Sequence, residues 1–127
     1  MFQGCTSLTA VPELPATSIN RSCYHNMFAG CTSLSSVPAD LLPAMNIDHY
    51  SYCYMFGDCS NLSIAPNLPA TGLANACYLR MFASCTSLKA APTLPVTTLQ
   101  PNCYSHMFEG CTSLSSVPAL PATTLDT

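Results

Sequence analysis

The chain has 127 residues and a formal net charge of -3, and it is 49% hydrophobic, 9% aromatic and only 7% charged. Three basic side chains, Arg21, Arg80 and Lys89, are too few to build the positive surface that nucleic-acid binding needs. Disordered chains need low hydrophobicity and high net charge, which this composition lacks. Pro, Ser or Thr interrupts every apolar stretch before the roughly 18 residues of a membrane-spanning helix. The length suits a single domain.

A repeat organises the whole chain. The dipeptide Met-Phe recurs at residues 1, 27, 55, 81 and 107, and the consensus around it reads MFxGCTSLxxxPxLPATxLxxxCYxx. The steps are 26, 28, 26 and 26 residues, and the longer step comes from two residues added between Pro38 and Pro43. Leu at fixed offsets in units of roughly 20 to 29 residues is typical of leucine-rich solenoids, whose units bury their apolar side by stacking. The sequence therefore predicts one leucine-rich-repeat solenoid over residues 1–127, with about five coils that begin at those Met positions.

The consensus also predicts the local structure of each coil. The stretch CYxxMFxG has apolar residues at spacings of three and four and ends at Gly, so we expect one helical or 3₁₀ turn. The stretch SLxxxP is expected to hold a short parallel strand, which ends before Pro because Pro cannot donate to a ladder. PxLP is a stiff extended connector, and ATxL is a candidate second strand. An insertion in the connector should bulge outward from its coil.

The motif MFxGCxSL, followed by a return rich in Leu and Pro, closely resembles the BspA-like leucine-rich repeat, including its variant common in mycoplasma surface lipoproteins. The resemblance covers essentially the whole chain, although the PxLPAT stretch departs from the polar or Ile-Pro segment that is more usual in the family. It implies a secreted or cell-surface protein of a bacterium or protist that binds host matrix proteins, other cells or glycans. It implies no catalytic residues to carry over. We expect a non-enzymatic binding or adhesion module without a metal or cofactor.

Most of the nine cysteines fall into two columns of the repeat. One column follows the Gly position and the other precedes Tyr, whereas Cys53 is displaced by two residues because Ser51 takes the aligned place. Stacked coils bring equivalent cysteines within reach of a disulfide, so bridges along a column are possible. The alternative, which we favour, is a buried ladder of small thiols in a tight turn. The columns are Cys5, Cys31, Cys59, Cys85 and Cys111, and Cys23, Cys77 and Cys103.

The histidines do not predict a metal or catalytic site. His25, His49 and His106 occupy three different offsets of the repeat, so stacking does not gather them. Asp48, His49 and Cys53 are close in sequence, and a Cys with a nearby His is the minimum for a nucleophilic pair. Such a pair also needs a cleft and an oxyanion hole, which a short solenoid does not supply. We therefore expect no active site there.

Tyrosines are the candidate binding residues. Four of them share one offset, three residues before Met, and two more flank the second member of that column. They are either partly buried with wet hydroxyls or an exposed strip that stacks on sugar rings or serves as protein hot spots. The three tyrosines of residues 50–54 alternate with Ser51 and Cys53, which would put them on one side of an extended segment. The candidate site consists of Tyr24, Tyr50, Tyr52, Tyr54, Tyr78 and Tyr104.

Regular Ser and Thr columns and the chain ends suggest further possibilities. The 28 Ser and Thr residues recur at fixed offsets, as in ice-binding solenoids, although such residues more often cap turns. Met1 and Phe2 already fit the consensus, and neither end carries a polar cap. Uncapped solenoids expose open edges. We therefore expect either continuation in a longer repeat chain or head-to-tail self-association. A self-assembling filament is the structural alternative to an adhesion module.

Overall fold

In the computed structural model, which describes residues 1–125, equivalent residues of successive repeats lie beside one another. Parallel backbone pairing joins Ser18 to Asn46 and Thr98 to Thr124, one repeat apart in each case. Each repeat thus forms one coil, and neighbouring coils in sequence are neighbours in space. The leucine-rich class of this stack stays a prediction.

One side of every coil is a run of tandem β-turns, the turn segment, which covers residues 20–31, 48–59, 74–85 and 100–111. In the first of these, each odd-numbered N–H from Cys23 to Cys31 donates to the carbonyl three residues earlier, at 3.1 to 3.3 Å. The φ angle is positive at every fourth residue, namely Ser22, Asn26 and Gly30. A positive φ at the third position is what a type II turn requires, and it interrupts any helix. Turns therefore stand where the sequence predicted a helical or 3₁₀ turn.

The other N–H groups of the turn segments join neighbouring coils. Even-numbered residues from 22 to 30 donate to the carbonyls of residues 49 to 57 in the next coil, at 2.8 to 3.1 Å. The same pattern links residues 50–58 to 75–83 and residues 76–84 to 101–109. Successive N–H groups thus donate in alternation to a carbonyl of their own coil and to a carbonyl of the next coil. This satisfies the backbone donors of a buried segment without a regular sheet.

Short strands lie on the return side of the coils, in the ATxL stretch. The described residues contain β1 (Ser18–Ile19), β2 (Asn46–Ile47), β3 (Thr98–Leu99) and β4 (Thr124–Leu125). Strand β1 pairs with β2 and β3 pairs with β4, both in parallel, and an isolated bridge joins Asn46 to Gly72. The candidate second strand of the sequence is therefore the one that forms.

The SLxxxP stretch, where the sequence predicted the main strand, contains only one bridge, between Ile64 and Ala90. The Ser63 N–H donates to the Ser35 carbonyl at 3.0 Å, and the Lys89 N–H donates to the Ser63 carbonyl at 3.3 Å. The Ser63 hydroxyl reaches the same Ser35 carbonyl at 3.2 Å. Pro follows shortly in every repeat, so the ladder cannot lengthen into a strand.

Aromatic rings form the centre of the core. The rings of the Phe column stack from Phe2 to Phe108, with centroids 5.6 to 5.9 Å apart and planes within 15° of parallel. Phe28, Phe56 and Phe82 are completely buried, each between the rings of its two neighbours. Each coil buries its Phe only because the adjacent coils cover it, so the core is a continuous column along the stack.

Residues 1–125 contain no helix with the length and hydrophobicity needed to cross a bilayer.

We expect Phe56→Ala to lower the free energy of unfolding by about 3 to 5 kcal/mol, because it removes a buried ring and leaves a cavity in the middle of the stack. Phe2→Ala is the matched control, since Phe2 is half-buried and stacks on Phe28 alone. Urea denaturation followed by circular dichroism measures both variants. Equal losses for the two variants would contradict the column as the source of stability.

Candidate binding site on the turn segments

The Tyr column predicted as a binding strip is a second stack inside the molecule. Rings of Tyr24, Tyr52, Tyr78 and Tyr104 lie 5.8 to 5.9 Å apart between centroids. Tyr52 and Tyr78 are each 1% exposed, whereas Tyr24 and Tyr104 are half-buried. Burial therefore removes Tyr52 and Tyr78 from the exposed strip, because their offset in the turn directs the ring between the coils.

The buried tyrosines are kept neutral by their surroundings. Burial raises the pKa of Tyr52 and of Tyr78 well above its usual range. The Tyr52 hydroxyl is enclosed and has no hydrogen-bond partner among the described residues. A buried unpaired hydroxyl costs free energy, so this ring is retained for its packing and not for contact with a ligand.

Tyr50 and Tyr54 are more accessible. Both have a positive φ, 58° and 54°, and both are half-buried at the coil surface. The segment between them is a pair of turns and not an extended strand. The predicted arrangement of three tyrosines on one side is therefore wrong, because Tyr52 turns inward while its two neighbours occupy the corners.

Tyr54 belongs to a local arrangement found in this coil alone among the turn segments. Its hydroxyl donates to the Asp58 carboxylate at 2.6 Å. Its ring lies over Gly57, where an added Cβ would come within 2.5 Å of the ring. Asp58 has a φ of 58° at the position that Gly30 and Gly110 occupy in other coils. The consensus Gly has moved by one residue here, which frees space for the ring and supplies its acceptor.

The neighbouring corners carry charged side chains. Tyr54 is aligned with Arg80 and His106 in the next two coils, and the Tyr54 N–H donates to the carbonyl of Leu79 at 2.9 Å. The Arg80 Nε lies 3.4 Å from a Glu109 carboxylate oxygen, and the His106 Nδ1 lies 3.5 Å from the same oxygen. We call the set the corner patch: Tyr54, Asp58, Arg80, His106 and Glu109.

The corner patch differs in composition from the columns beneath it. The Phe and Met columns hold the same residue in every coil, and they are buried in the central coils. The corner position instead holds Asn26, Tyr54, Arg80 and His106, four different chemistries on one backbone geometry with φ between 53° and 55°. An aromatic ring with cationic and anionic groups beside it can stack on a sugar ring or bind a polar protein surface.

The first Cys column is a thiol ladder that is buried at Cys31, Cys59 and Cys85, whereas Cys111 is half-buried and Cys5 is exposed. The Sγ atoms of Cys31, Cys59 and Cys85 each donate to the carbonyl of the Phe in the preceding coil, at 3.1 Å. Burial raises the pKa of Cys59 to about 12, which keeps the thiol protonated. All nine cysteines are free thiols in the structure. The column therefore stabilises the stack by hydrogen bonds between coils and not by disulfides.

Ser51 stands in the second column at the position that Cys23, Cys77 and Cys103 hold in other coils. It is completely buried, and its hydroxyl donates to the carbonyls of Asp48 at 2.5 Å and Asn20 at 3.1 Å. Cys77 and Cys103 are buried at the equivalent position. The hydroxyl thus bridges two coils beside the insertion.

Asp48, His49 and Cys53 do not form a catalytic constellation. The His49 Nδ1 lies 2.6 Å from the Asp48 carboxylate, and both side chains are about half exposed. Hydrogen bonds from His49 lower the pKa of Asp48, whereas burial raises the pKa of Cys53. No hydrogen bond joins Cys53 to His49 among residues 1–125. In the same residues, no group of three or more His, Cys, Asp or Glu side chains could hold a metal ion.

Comparison with known proteins finds no family model, no curated protein and no solved structure that matches the chain. The resemblance to BspA-like repeats therefore stays a prediction that depends on the repeat motif.

Sequence reasoning proposed Tyr50 and Tyr54 but missed the charged members of the corner patch. The available signal was the contrast between positions that repeat the same residue in every coil and positions that do not. The left-handed corner was not visible in the sequence, because Asn, Tyr, Arg and His share no preference for a positive φ strong enough to reveal it.

We expect Asp58→Asn to lower the pKa of Tyr54 from about 12 toward its ordinary value of 10.0, because the hydrogen bond to the carboxylate is the largest cause of the rise. In the folded chain the pKa of Tyr54 lies above its unfolded value. The hydrogen bond between Tyr54 and Asp58 therefore stabilises the fold below about pH 10, and this contribution is lost as pH rises further. NMR titration of the tyrosine Cζ signals measures the shift. Asn tolerates a positive φ, so the turn should be kept. An unchanged Tyr54 titration would exclude the pairing.

Proposed function

We propose that this chain is a non-enzymatic, extracellular or cell-surface binding module that adheres to a protein or glycan through the corner patch. The observation that carries the proposal is the contrast between buried columns that repeat one residue and a half-buried to exposed corner column in which Asn26, Tyr54, Arg80 and His106 all differ. A rigid backbone with variable exposed side chains is how repeat proteins present binding surfaces.

The chemistry of the patch supports recognition of polar ligands. Tyr54 offers part of a ring face, Arg80 offers guanidinium donors, and Glu109 and Asp58 offer carboxylate acceptors. Sugars need such a combination of an apolar face with donors and acceptors, and protein hot spots are enriched in Tyr and Arg. Since both signs of charge are present, the patch favours no strongly charged polymer.

The leucine-rich solenoid class and the resemblance to BspA-like repeats belong to the same proposal, and they motivate the surface location. The burial of the central thiols is compatible with that location. Cys59 and Cys85 are completely buried, and burial raises the pKa of both. Oxidation proceeds through exposed thiolates, so the core of the stack would resist it outside the cell.

The test is binding of the purified, labelled chain to a glycan array and to immobilised extracellular-matrix proteins. We expect saturable binding to at least one of these ligands, and at least a tenfold loss in the variant Tyr54→Ala/Arg80→Ala, because the patch loses its ring and its guanidinium.

The matched control is Thr9→Ala/Lys89→Ala, which also removes two exposed side chains and one positive charge but lies on the SLxxxP stretches. Its binding should equal that of the parent chain. Equal losses in both variants, or no binding to either ligand class, would refute adhesion through the corner patch.

A second candidate function, assembly into a filament, is supported by the backbone edges of the stack. Among the described residues, the N–H groups of His106 and Phe108 donate to no backbone carbonyl. The carbonyl of Met1, on the opposite side of the stack, accepts no backbone hydrogen bond. A second copy whose residues 1–5 lie beside residues 107–111 would bring its Met1 carbonyl to the Phe108 N–H and its Phe2 ring onto Phe108, in the pattern that already joins the internal coils.

For assembly, we expect the particle mass of the chain to increase with concentration in light scattering, with rods in electron micrographs. Phe108→Glu should prevent it by placing a charge at the end of the ring stack. Val117→Glu is the control, because Val117 is 79% exposed and lies outside the turn segments. A monomer at every concentration, or equal effects of the two variants, would refute the filament.

A further inference from the structure

A second surface feature lies away from the corner patch, between the connectors of the first two coils. A groove of about 520 Å³ runs between residues 11–17 and residues 38–43. Pro12, Pro15, Pro38 and Pro43 form much of its walls, and the side chains of Leu14 and Leu41 are buried beside it. The groove is therefore apolar, open along one side and bounded by stiff segments.

The insertion of two residues accounts for its position. The added residues lie between Pro38 and Pro43, in the only connector longer than the consensus. The bulge is anchored, because Leu41 and Leu42 are 4% and 2% exposed and the Leu41 N–H donates to the Pro38 carbonyl at 3.2 Å. The widened connector thus forms one fixed wall of the groove and places Asp40 on its rim.

Two carboxylates line this groove, and both lack a partner. Glu13 and Asp40 are exposed, and neither makes a hydrogen bond or an ion pair among residues 1–125. The other carboxylates of these residues are engaged: Asp48 with His49, Asp58 with Tyr54, and Glu109 with Arg80 and His106. No basic side chain lines the groove.

The prolines add to this electronegative character. A proline offers a carbonyl acceptor but no N–H donor, so four of the residues in the walls cannot donate to a ligand from the backbone. A ligand that fits must therefore supply donors, carry positive charge and present apolar groups to the proline rings. Arginine and lysine side chains meet these requirements, since their stems are apolar and their heads donate only.

We propose that this groove binds an extended basic segment of a partner protein, with Arg or Lys side chains on Glu13 and Asp40 and apolar side chains on the proline rings. Extended segments fit shallow apolar grooves walled by stiff side chains at low conformational cost. Neutral glycans are disfavoured because they also need hydrogen-bond donors from the protein. Acidic polymers are disfavoured because the two carboxylates would repel them. The site is distinct from the corner patch, so this proposal does not depend on the adhesion proposal.

The experiment is an NMR titration of the ¹⁵N-labelled chain with a synthetic peptide, acetyl-Pro-Arg-Leu-Pro-Arg-Leu-amide. We expect saturable shifts at the amide signals of Val11, Leu14, Thr17 and Leu41. The variant Glu13→Gln/Asp40→Asn should weaken binding at least tenfold, and added salt should weaken binding of the parent chain. Both substituted residues are exposed, so we expect the variant to keep its fold, and its ¹⁵N spectrum checks this directly.

Two controls make the result specific. The same peptide with Glu in place of Arg should not bind. Asp48→Asn removes one carboxylate outside the groove and should leave affinity unchanged, whereas Glu13→Gln alone should reduce it several-fold. Shifts that map to other residues, equal binding of the acidic peptide, or equal affinity of Glu13→Gln/Asp40→Asn and the parent chain would overturn the proposal.

Discussion

Backbone hydrogen bonding in the turn segments is the constraint on which the other features of this molecule depend. Along a turn segment, one N–H group closes a turn within its own coil and the following N–H group donates to the next coil. This alternation needs a residue with positive φ at every fourth position. Within residues 1–125, ten residues other than glycine adopt that conformation, although it costs an L-residue about 1 kcal/mol or more. They keep it because a wrong φ would break bonds to two coils at once.

The same geometry separates buried positions from exposed ones. Between the corners, the Phe rings, Tyr rings and thiols of the central coils point inward, where each meets its equivalent one coil away. A side chain packs tightly against its equivalent in the next coil only when the two match in size and shape, so each of these columns keeps one type of residue along the chain. The corner residues Asn26, Tyr54, Arg80 and His106 are half-buried or exposed and differ from coil to coil. The scaffold and the candidate binding surface are therefore two sides of one run of turns.

The period and the burial of Phe28, Phe56 and Phe82 could be predicted from the sequence, because they follow from spacing and hydrophobicity. The tandem turns could not, since their N–H groups are divided between coils in a way that no local propensity encodes. The burial of Tyr52 and Tyr78 was missed for a similar reason: a Tyr hydroxyl indicates a wet end, whereas stacking between coils decides the position of the ring. The groove lined by Glu13 and Asp40 could not be predicted either, because its walls come from the connectors of two coils.

The two additional residues between Pro38 and Pro43 leave the pairing on both sides of them intact. Strand β1 still meets β2 in register, and the turn segments of residues 20–31 and 48–59 bond as the later pairs do. Changes of length in the connector are thus decoupled from the periodic hydrogen bonding. The connector is consequently a natural acceptor for foreign loops, and a peptide epitope grafted there would be displayed at a fixed height along the stack.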